Sequence, residues 1–178
     1  MKRVFFLSIL SMMICSCGTL KLVGNYPSTE NYYATTDASY DSVWDRVVDF
    51  FATSGVPITH IDKDSGLIIS SKMSFLNSYT LERNGVPEDP NAFVVIPIVR
   101  GGFGNILEPR AVITGRWTMD GDFNVRIKIC DGGKTMINVN LLNLTCLYYG
   151  SSLLGNTTRV PIASTGVFEK SLLQLFCK

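Results

Sequence analysis

Residues 111–141 read AVITGRWTMDGDFNVRIKICDGGKTMINVNL, and their pattern predicts the sheet on which the domain is built. Apolar and polar side chains alternate along residues 111–119, 123–130 and 136–141. A period of two residues is typical of strands that bury one face and expose the other. We therefore predict three half-buried strands of an antiparallel sheet, joined as a meander.

Two short loops separate these strands, Asp120-Gly121-Asp122 and Asp131-Gly132-Gly133. Three-residue loops keep the apolar faces of consecutive strands in phase, whereas a two-residue loop would turn one strand's apolar side chains to the wrong face. The resulting register places Trp117 opposite Val125, and Val125 opposite Val139.

The polar face of this sheet gathers basic side chains. In the same register Arg116 lies opposite Arg126, with Lys128 further along the strand. Like charges paired directly across two strands destabilise a sheet unless an anion or an acid lies between them. One interpretation is a contact site for an anionic partner, either a protein or a lipid headgroup. The other is a solvated face whose long side chains splay apart or meet acidic residues of a long insertion, namely Glu82, Glu88 and Glu108.

The third strand changes phase near its middle. Leu141 ends one apolar series, and Leu142 begins another that continues to Cys146. One extra residue at this point, a β-bulge, explains the change and would bend the strand. Cys130 and Cys146 should then point to opposite faces and stay unbonded to each other. Because Cys177 follows the last helix, the residues leave open either a Cys146–Cys177 disulfide or three inert free thiols.

The clearest helix lies upstream of the sheet. Ser39 has the chemistry of an N-cap, Asp41 lies near the positive end of the helix dipole, and Gly55 is placed to end the helix in a left-handed conformation. Side chains at three- and four-residue spacing form one wide apolar face. They are Tyr40, Val43, Trp44, Val47, Val48 and Phe51.

A hairpin follows this helix over residues 56–71, with its turn at residues 62–66. Asp62 and Asp64 lie in that turn, among the residue types that turns ordinarily use. We therefore interpret them as turn residues and not as a catalytic carboxylate pair. His60, the only histidine, lies in the polar phase of its strand and is predicted to face solvent.

Residues 73–110 form the least regular part of the chain, an insertion broken at residues 87–90 and again at residues 101–104. Residues 92–96 have the pattern of a short strand. Pro97 cannot donate to a sheet, so this strand should lie at an edge or end there. The glycines at 101–104 do not form a phosphate loop, because no Lys-Ser/Thr pair and no helix pattern follow them.

A second helix closes the chain, with Ser164 or Thr165 as its predicted N-cap. Its apolar stripe comprises Val167, Phe168, Leu172, Leu175 and Phe176. The order strand, helix, hairpin, insertion, meander and helix predicts one α+β domain over residues 32–178. We expect a two-layer antiparallel sheet with two packed helices.

The N-terminus indicates export and lipidation. A basic pair precedes an apolar run at residues 4–14, which is too short to span a bilayer, and small Ser16 precedes Cys17. This pattern resembles the lipobox of bacterial lipoproteins, which implies removal of residues 1–16 and a lipid on Cys17. Residues 17–31 have no period and are predicted to tether the lipid to the domain.

Composition limits the function. The chain has 16 basic and 15 acidic residues, and loss of the leader removes Lys2 and Arg3, so the mature net charge is near −1. Nucleic-acid-binding domains usually carry a strong basic excess, which argues against that class. A single histidine argues against a histidine-rich zinc site and against any catalytic triad not built on His60. We predict no metal, cofactor or catalytic residues.

Several stretches resemble small lipoproteins of unknown function from the Bacteroidetes. They are SVWDRVVDFF at 42–51, VPI at 56–58, DSGLI at 64–68, TGRW at 114–117, NVRIK at 124–128 and STGVFE at 164–169. The helix-then-hairpin unit ending in Ser65-Gly66-Leu67-Ile68 more remotely resembles the helix-grip repeats of BamC, a lipoprotein of the outer-membrane barrel-assembly machinery. This resemblance implies a helix-grip fold (BamC-like or TBP-like), with a helix held in a curved sheet, and it transfers no catalytic residue.

Two functional hypotheses follow. The first is a non-enzymatic envelope lipoprotein that contacts another envelope protein, based on the anchor, the tether and the absence of a catalytic set. The lack of acidic residues directly after Cys17 favours the periplasmic face of the outer membrane. The alternative is a periplasmic carrier or sensor of an apolar small ligand, held between helix and sheet near the aromatic residues Trp44, Phe50, Phe51 and Trp117.

Overall fold

The computed structural model describes residues 21–26, 32–98, 100–101, 104–105, 117–149 and 157–178. The leader, Cys17, Arg116 and Glu108 lie outside these described residues, as does most of the predicted strand at 111–119. The described chain is α+β, as predicted, with two helices and mostly antiparallel strands.

The elements follow one another in chain order. They are β1 (Tyr32–Thr36), α1 (Tyr40–Ser54), β2 (Ile58–Asp62), β3 (Leu67–Ser70), β4 (Met73–Ser74), β5 (Tyr79–Arg83), β6 (Val86–Pro87), β7 (Val94–Pro97), β8 (Arg100–Gly101), β9 (Gly104–Asn105), β10 (Trp117–Ile129), β11 (Thr135–Tyr149), β12 (Thr157–Val160), β13 (Ala163–Ser164) and α2 (Val167–Phe176). The large sheet has the order β1-β11-β10-β3-β2, with β12 added to β11 and β4 added to β10. No helix among the described residues is long and apolar enough to cross a membrane.

The long hairpin of β10 and β11 corrects the predicted meander. No turn interrupts β10 at Asp120-Gly121-Asp122, and Trp117 lies opposite Tyr148 instead of Val125. The glycine has a packing role, because a Cβ on Gly121 would lie 2.7 Å from Leu144 Cδ2. The Asp-Gly-Asp composition therefore reflects a tight contact between strands and not a chain reversal.

The predicted bulge in β11 is confirmed, one to two residues beyond the expected place. Asp122 lies opposite Leu142 and Asp120 lies opposite Thr145, so two residues of β11 face the single Gly121 of β10. The first of those two, Asn143, adopts a left-handed conformation with φ 53°. This extra residue returns Cys146 to the buried face, as the phase change required.

The turn at Asp131-Gly132-Gly133 is confirmed, together with the pairing of Val125 with Val139. Both glycines have positive φ, 87° and 78°. The Cys130 N–H donates to the Lys134 carbonyl at 2.8 Å and closes the loop. Sequence pattern thus predicted the half of the hairpin nearest to its turn.

Helix α1 is confirmed at both ends. The Ser39 hydroxyl accepts a hydrogen bond from the Ser42 N–H at 3.3 Å, and Gly55 ends the helix with φ 70°. The predicted apolar face is directed at the sheet. Its most buried members are Val43, Trp44, Val47 and Phe51.

The hairpin of β2 and β3 is also confirmed. Asp62 Oδ1 accepts the amide of Asp64 at 3.0 Å, which is the turn role predicted for this carboxylate. His60 is exposed on β2, as predicted. The turn also contacts β10, because the Ile127 N–H donates to the Gly66 carbonyl at 2.8 Å.

Three strands of the insertion and β13 form a small mixed sheet that the sequence did not reveal, with the order β13-β7-β5-β6. The sequence predicted that this strand lies at a sheet edge or ends at Pro97. Strand β7 does end at Pro97, but it lies inside the sheet, parallel to β5 and antiparallel to β13. All four β7 residues are buried. Pairing between segments so distant in sequence leaves no local pattern to read.

Helix α2 begins at Val167 with Gly166 as its N-cap, so the prediction of Ser164 or Thr165 as cap was wrong. Both hydroxyls still accept amides of the first turn, Ser164 from Gly166 at 2.9 Å and Thr165 from Val167 at 3.4 Å. The predicted stripe is also corrected, because Leu175 is 45% exposed and Leu173 is buried in its place. Gly166 adopts φ 83° and directly precedes the first helical residue.

Both helices pack on the same face of the large sheet. The Phe51 ring of α1 stacks on Phe123 of β10 with centroids 5.2 Å apart, and the Phe168 ring of α2 lies edge-on to Phe123, also at 5.2 Å. The small sheet closes one end of this core, where Phe93 contacts Phe168 at 5.3 Å. In the described chain, the opposite face of the large sheet carries no helix.

Candidate functional site: the open face of the large sheet

We name the uncovered surface the open face. Its side chains come from alternate positions of four neighbouring strands, whose intervening residues are buried in the core or half-buried against it. The open face consists of Tyr33, Thr35, Leu67, Ile69, Asn124, Arg126, Lys128, Met136, Asn138 and Asn140.

The strand register sets which of these side chains are neighbours. One row across the sheet runs Tyr33, Asn138, Arg126 and Leu67, from β1 to β3. The next row places Met136 of β11 beside Lys128 of β10. Because facing residues of antiparallel strands have Cβ atoms only about 5 Å apart, a row forms a continuous surface.

Five of these side chains line an open groove of about 370 Å³: Tyr33, Arg126, Lys128, Met136 and Asn138. Arg126 and Lys128 are both exposed, and Tyr33 is 65% exposed at the wall of the groove. The groove thus combines two cations, one aromatic ring and one thioether. We name it the basic groove.

The two cations have no ionic partner among the described residues, whose ion pairs are Lys63–Asp41, Arg83–Glu88 and Lys134–Asp37. The expectation that Glu82 or Glu88 neutralises this face was wrong. Glu88 binds Arg83, and Glu82 is buried and accepts backbone N–H groups of residues 23 and 24. The third acid of that expectation, Glu108, lies outside the described residues.

The predicted pairing of Arg116 with Arg126 was also wrong. Arg126 lies between Asn138 on β11 and Leu67 on β3, so both of its cross-strand positions are taken. The error follows from the missing turn, because β10 runs without a chain reversal from Trp117 to Ile129. Arg116 itself lies outside the described residues, whereas Arg126 and Lys128 remain together on the open face.

Amide groups fix the floor beside the basic groove. Asn140 Nδ2 donates to Asn138 Oδ1 at 2.5 Å and to Asn124 Oδ1 at 3.2 Å, and Asn138 Nδ2 donates to the Tyr32 carbonyl at 3.0 Å. These hydrogen bonds hold Asn138 in one orientation at the groove. The amide is therefore preorganised to contact a bound group without a large loss of side-chain entropy.

The nearest acid along the Arg126 row is Asp62, one strand beyond Leu67. Hydrogen bonds from Ser65 and from the Asp64 amide hold the pKa of Asp62 below its usual value. The carboxylate is thus ionised but engaged in its own turn, and it forms no ion pair with Arg126 or Lys128.

A second concavity, of about 570 Å³, lies at the turn end of the sheet and shares Lys128 with the basic groove. Its other walls include Tyr40, Lys63 and Ile129. The Tyr40 hydroxyl donates to the Lys63 carbonyl, and Lys63 Nζ lies 2.8 Å from Asp41, so this cation is already paired. Lys128 lines both concavities and has no ion pair among the described residues.

Sequence reasoning missed Tyr33 and Met136. Both reach the basic groove only because β1 pairs with β11, which joins residues more than 100 positions apart. No local signal encodes that pairing. The alternation of apolar and polar residues along β11 did predict that Met136 lies on the polar face. It did not predict which side chains lie next to Met136.

Other chemically active side chains lie apart from one another. Cys130, Cys146 and Cys177 are free thiols, so the disulfide alternative is not formed. Burial, with a contribution from Asp120, raises the pKa of Cys146 to about 12. Within the ranges that the structure describes, no three His, Cys, Asp or Glu side chains form a group that could hold a metal ion.

Side chains fill the interface between α1 and the sheet, the place expected for an apolar ligand. Val43 and Val47 are fully buried there, beside the stacked rings of Phe51 and Phe123. No observation on the described residues favours a ligand cavity at this interface, and the carrier hypothesis stays a prediction.

Comparison with models of known protein families finds no match, and a search of curated protein sequences finds no relative.

Proposed function

We propose that this protein is a non-enzymatic lipoprotein of the bacterial cell envelope that holds an acidic segment of another envelope protein in its basic groove. In this proposal Cys17 carries the lipid, and the domain stands at the periplasmic face of the outer membrane. The proposal also includes the fold type, a helix-grip domain similar to those of BamC. The observation that carries it is the pair of cations Arg126 and Lys128, which have no ion pair within the part of the chain that the structure describes and lie on a sheet face that no described element covers.

The spacing of the two cations supports an anionic partner. Residues two apart on one strand point to the same face, about 7 Å apart, where their like charges repel. A carboxylate bound between them removes this repulsion, and Arg126 can bind it with two parallel hydrogen bonds. Two cations on a chain of mature charge near −1 fit one or two acidic side chains and not a nucleic acid.

The apolar walls support a protein segment and not a free anion. Tyr33 and Met136 flank the cations, and Leu67 continues the row beyond Arg126. Aromatic residues and Met are enriched at protein interfaces, where a ring or a polarizable thioether buries a large apolar area. An acidic segment with an adjacent apolar residue would satisfy both parts of the groove.

The test is in-cell cross-linking of the full-length chain followed by mass spectrometry of the proteins that co-purify. We expect one dominant envelope protein, and we expect Arg126→Glu with Lys128→Glu to reduce its yield at least tenfold. The matched control is Lys72→Glu with Lys178→Glu. It makes the same charge change at two exposed lysines outside the groove.

Equal recovery of the partner with both double variants would contradict the groove as the contact site. The anchor is tested separately by Cys17→Ala, which should release the chain from the membrane fraction. Retention of that variant in the membrane would contradict the lipoprotein assignment while leaving the groove to be judged on the cross-linking result.

A further inference from the structure

The segment between the predicted lipid and the domain is fastened to the small sheet. The Val23 N–H donates to both carboxylate oxygens of Glu82, at 3.0 and 2.9 Å, and the Gly24 N–H donates to Oε1 at 2.6 Å. Glu82 lies on β5 and is 6% exposed. A buried carboxylate that accepts three hydrogen bonds from two backbone amides forms a specific clip, because the charge is satisfied only while the segment is in place.

The fit at this clip is close. A Cβ added to Gly24 would overlap the Gly85 carbonyl oxygen and lie 2.9 Å from Glu82 Oε1. Tyr26 also packs here, where burial and the Glu82 charge raise its pKa to about 12. Only a glycine allows the backbone to approach the β5–β6 turn this closely, so the contact is encoded at residue 24.

The clip changes how far the domain can stand from a lipid on Cys17. If the chain were first held at Tyr32, fifteen residues would allow a reach of about 50 Å. Held at Val23, six residues allow about 20 Å. The clip therefore shortens the maximum reach by more than half and brings one end of the domain to the bilayer.

That end carries exposed apolar side chains. Val23 is 82% exposed and Val86 is 61% exposed, on either side of the contact between Gly24 and Gly85. Lys21 is exposed two residues before Val23. Apolar side chains beside a cation suit the interface of a bilayer with phospholipid headgroups.

We infer that the Val23–Val86 end of the domain rests against the bilayer surface, held there by the clip between Glu82 and the amides of residues 23 and 24. This inference rests on the lipid anchor of the proposed function. Strand β4, which precedes the small sheet in the chain, pairs with β10 at Asp120 and Gly121, whereas Arg126 lies about 20 Å further along β10. The basic groove is thereby held away from the bilayer, where a partner can reach it.

The experiment uses the lipidated full-length chain in vesicles of phosphatidylethanolamine and phosphatidylglycerol that contain a diazirine phospholipid. After illumination, mass spectrometry maps the peptides that carry lipid. We expect labelling of residues 83–88 to exceed that of the 130–134 turn several-fold. Gly24→Ala, which excludes the segment without altering the core, should reduce labelling at 83–88 to the level of the turn, with membrane binding unchanged.

Glu88→Ala is the control, because it removes a neighbouring carboxylate that pairs with Arg83 and takes no part in the clip. It should leave the labelling pattern as in the wild type. Equal labelling of the two regions in a chain that is lipidated and membrane-bound would overturn this inference and leave the anchor standing. Absence of lipid from Cys17 would overturn both the anchor and the inference.

Discussion

Gly66→Ala should destabilise the domain more than the same change at another left-handed glycine. Gly66 ends the β2–β3 turn with φ 70°, and an added Cβ there would overlap the Ile127 carbonyl oxygen of β10. Gly132 has φ 87° and no atom within 4 Å of the Cβ site. The two variants therefore share the conformational cost of a left-handed alanine and differ in the contact.

The magnitude follows from these two parts. The left-handed conformation costs an alanine about 1–2 kcal/mol, which is the whole expected loss for Gly132→Ala. Gly66→Ala adds about 1–3 kcal/mol of overpacking and about 1 kcal/mol from weakening the hydrogen bond between the Ile127 N–H and the Gly66 carbonyl. The expected excess is about 2–4 kcal/mol, or roughly 4–16 °C in Tm for a domain of this size.

Guanidinium unfolding followed by circular dichroism measures this excess, with Gly132→Ala as the reference. If the unfolding free energy of both variants falls with guanidinium concentration as steeply as that of the wild type, the difference in stability arises in the folded state. Equal free energies of unfolding for the two variants would refute the close approach of the β2–β3 turn to β10, and with it the placement of β3 beside Arg126.

Three further predictions concern the core and its buried groups. Phe123→Ala should lower the free energy of unfolding by about 3–5 kcal/mol, because Phe123 contacts aromatic rings of both helices. Cys146 should react with a thiol reagent far more slowly than Cys130 in the folded protein, since it is buried and its pKa is raised to about 12; similar rates would contradict its burial. Burial raises the pKa of Glu169 above 4.5. The stabilising contribution of its protonated carboxyl group is therefore present below that pH and is lost as the pH rises. Unfolding measurements should find that Glu169→Gln gains stability relative to wild type between pH 4 and pH 7.

Local chemistry explains which elements could be read from the sequence. Ser39 and Gly55 bound α1 through capping interactions that involve only neighbouring residues. The Asp131-Gly132-Gly133 turn is encoded in the same local way, by glycines that adopt positive φ. Such signals act within a few residues, so a single sequence contains them in full.

The Asp120-Gly121-Asp122 stretch has the same composition as a turn but a different role. Gly121 is required by the Leu144 side chain and the Leu142 carbonyl on the neighbouring strand, a contact across more than twenty residues. Composition cannot separate a glycine that is needed for φ from one that is needed for space. The small sheet was missed for a related reason, because the pairing of β7 with β5 and β13 is wholly long-range.

The sequence alone predicts part of the basic groove. The alternation of apolar and polar residues along β10 is enough to place Arg126 and Lys128 on one polar face. Neither Glu82 nor Glu88 pairs with these cations, and only the fold supplies the positions of these two carboxylates. The wall formed by Tyr33 likewise required the pairing of β1 with β11.

The most direct test of the central claim is site-specific photo-cross-linking in cells. A photoreactive phenylalanine derivative replaces Tyr33 at the wall of the basic groove or, as the reference, Leu175 on the helical side of the domain. We predict one dominant cross-linked envelope protein from position 33 and none from position 175, with the product lost in the Arg126→Glu, Lys128→Glu background. The same products from both positions, or an undiminished product in that background, would contradict the basic groove as the site of partner binding.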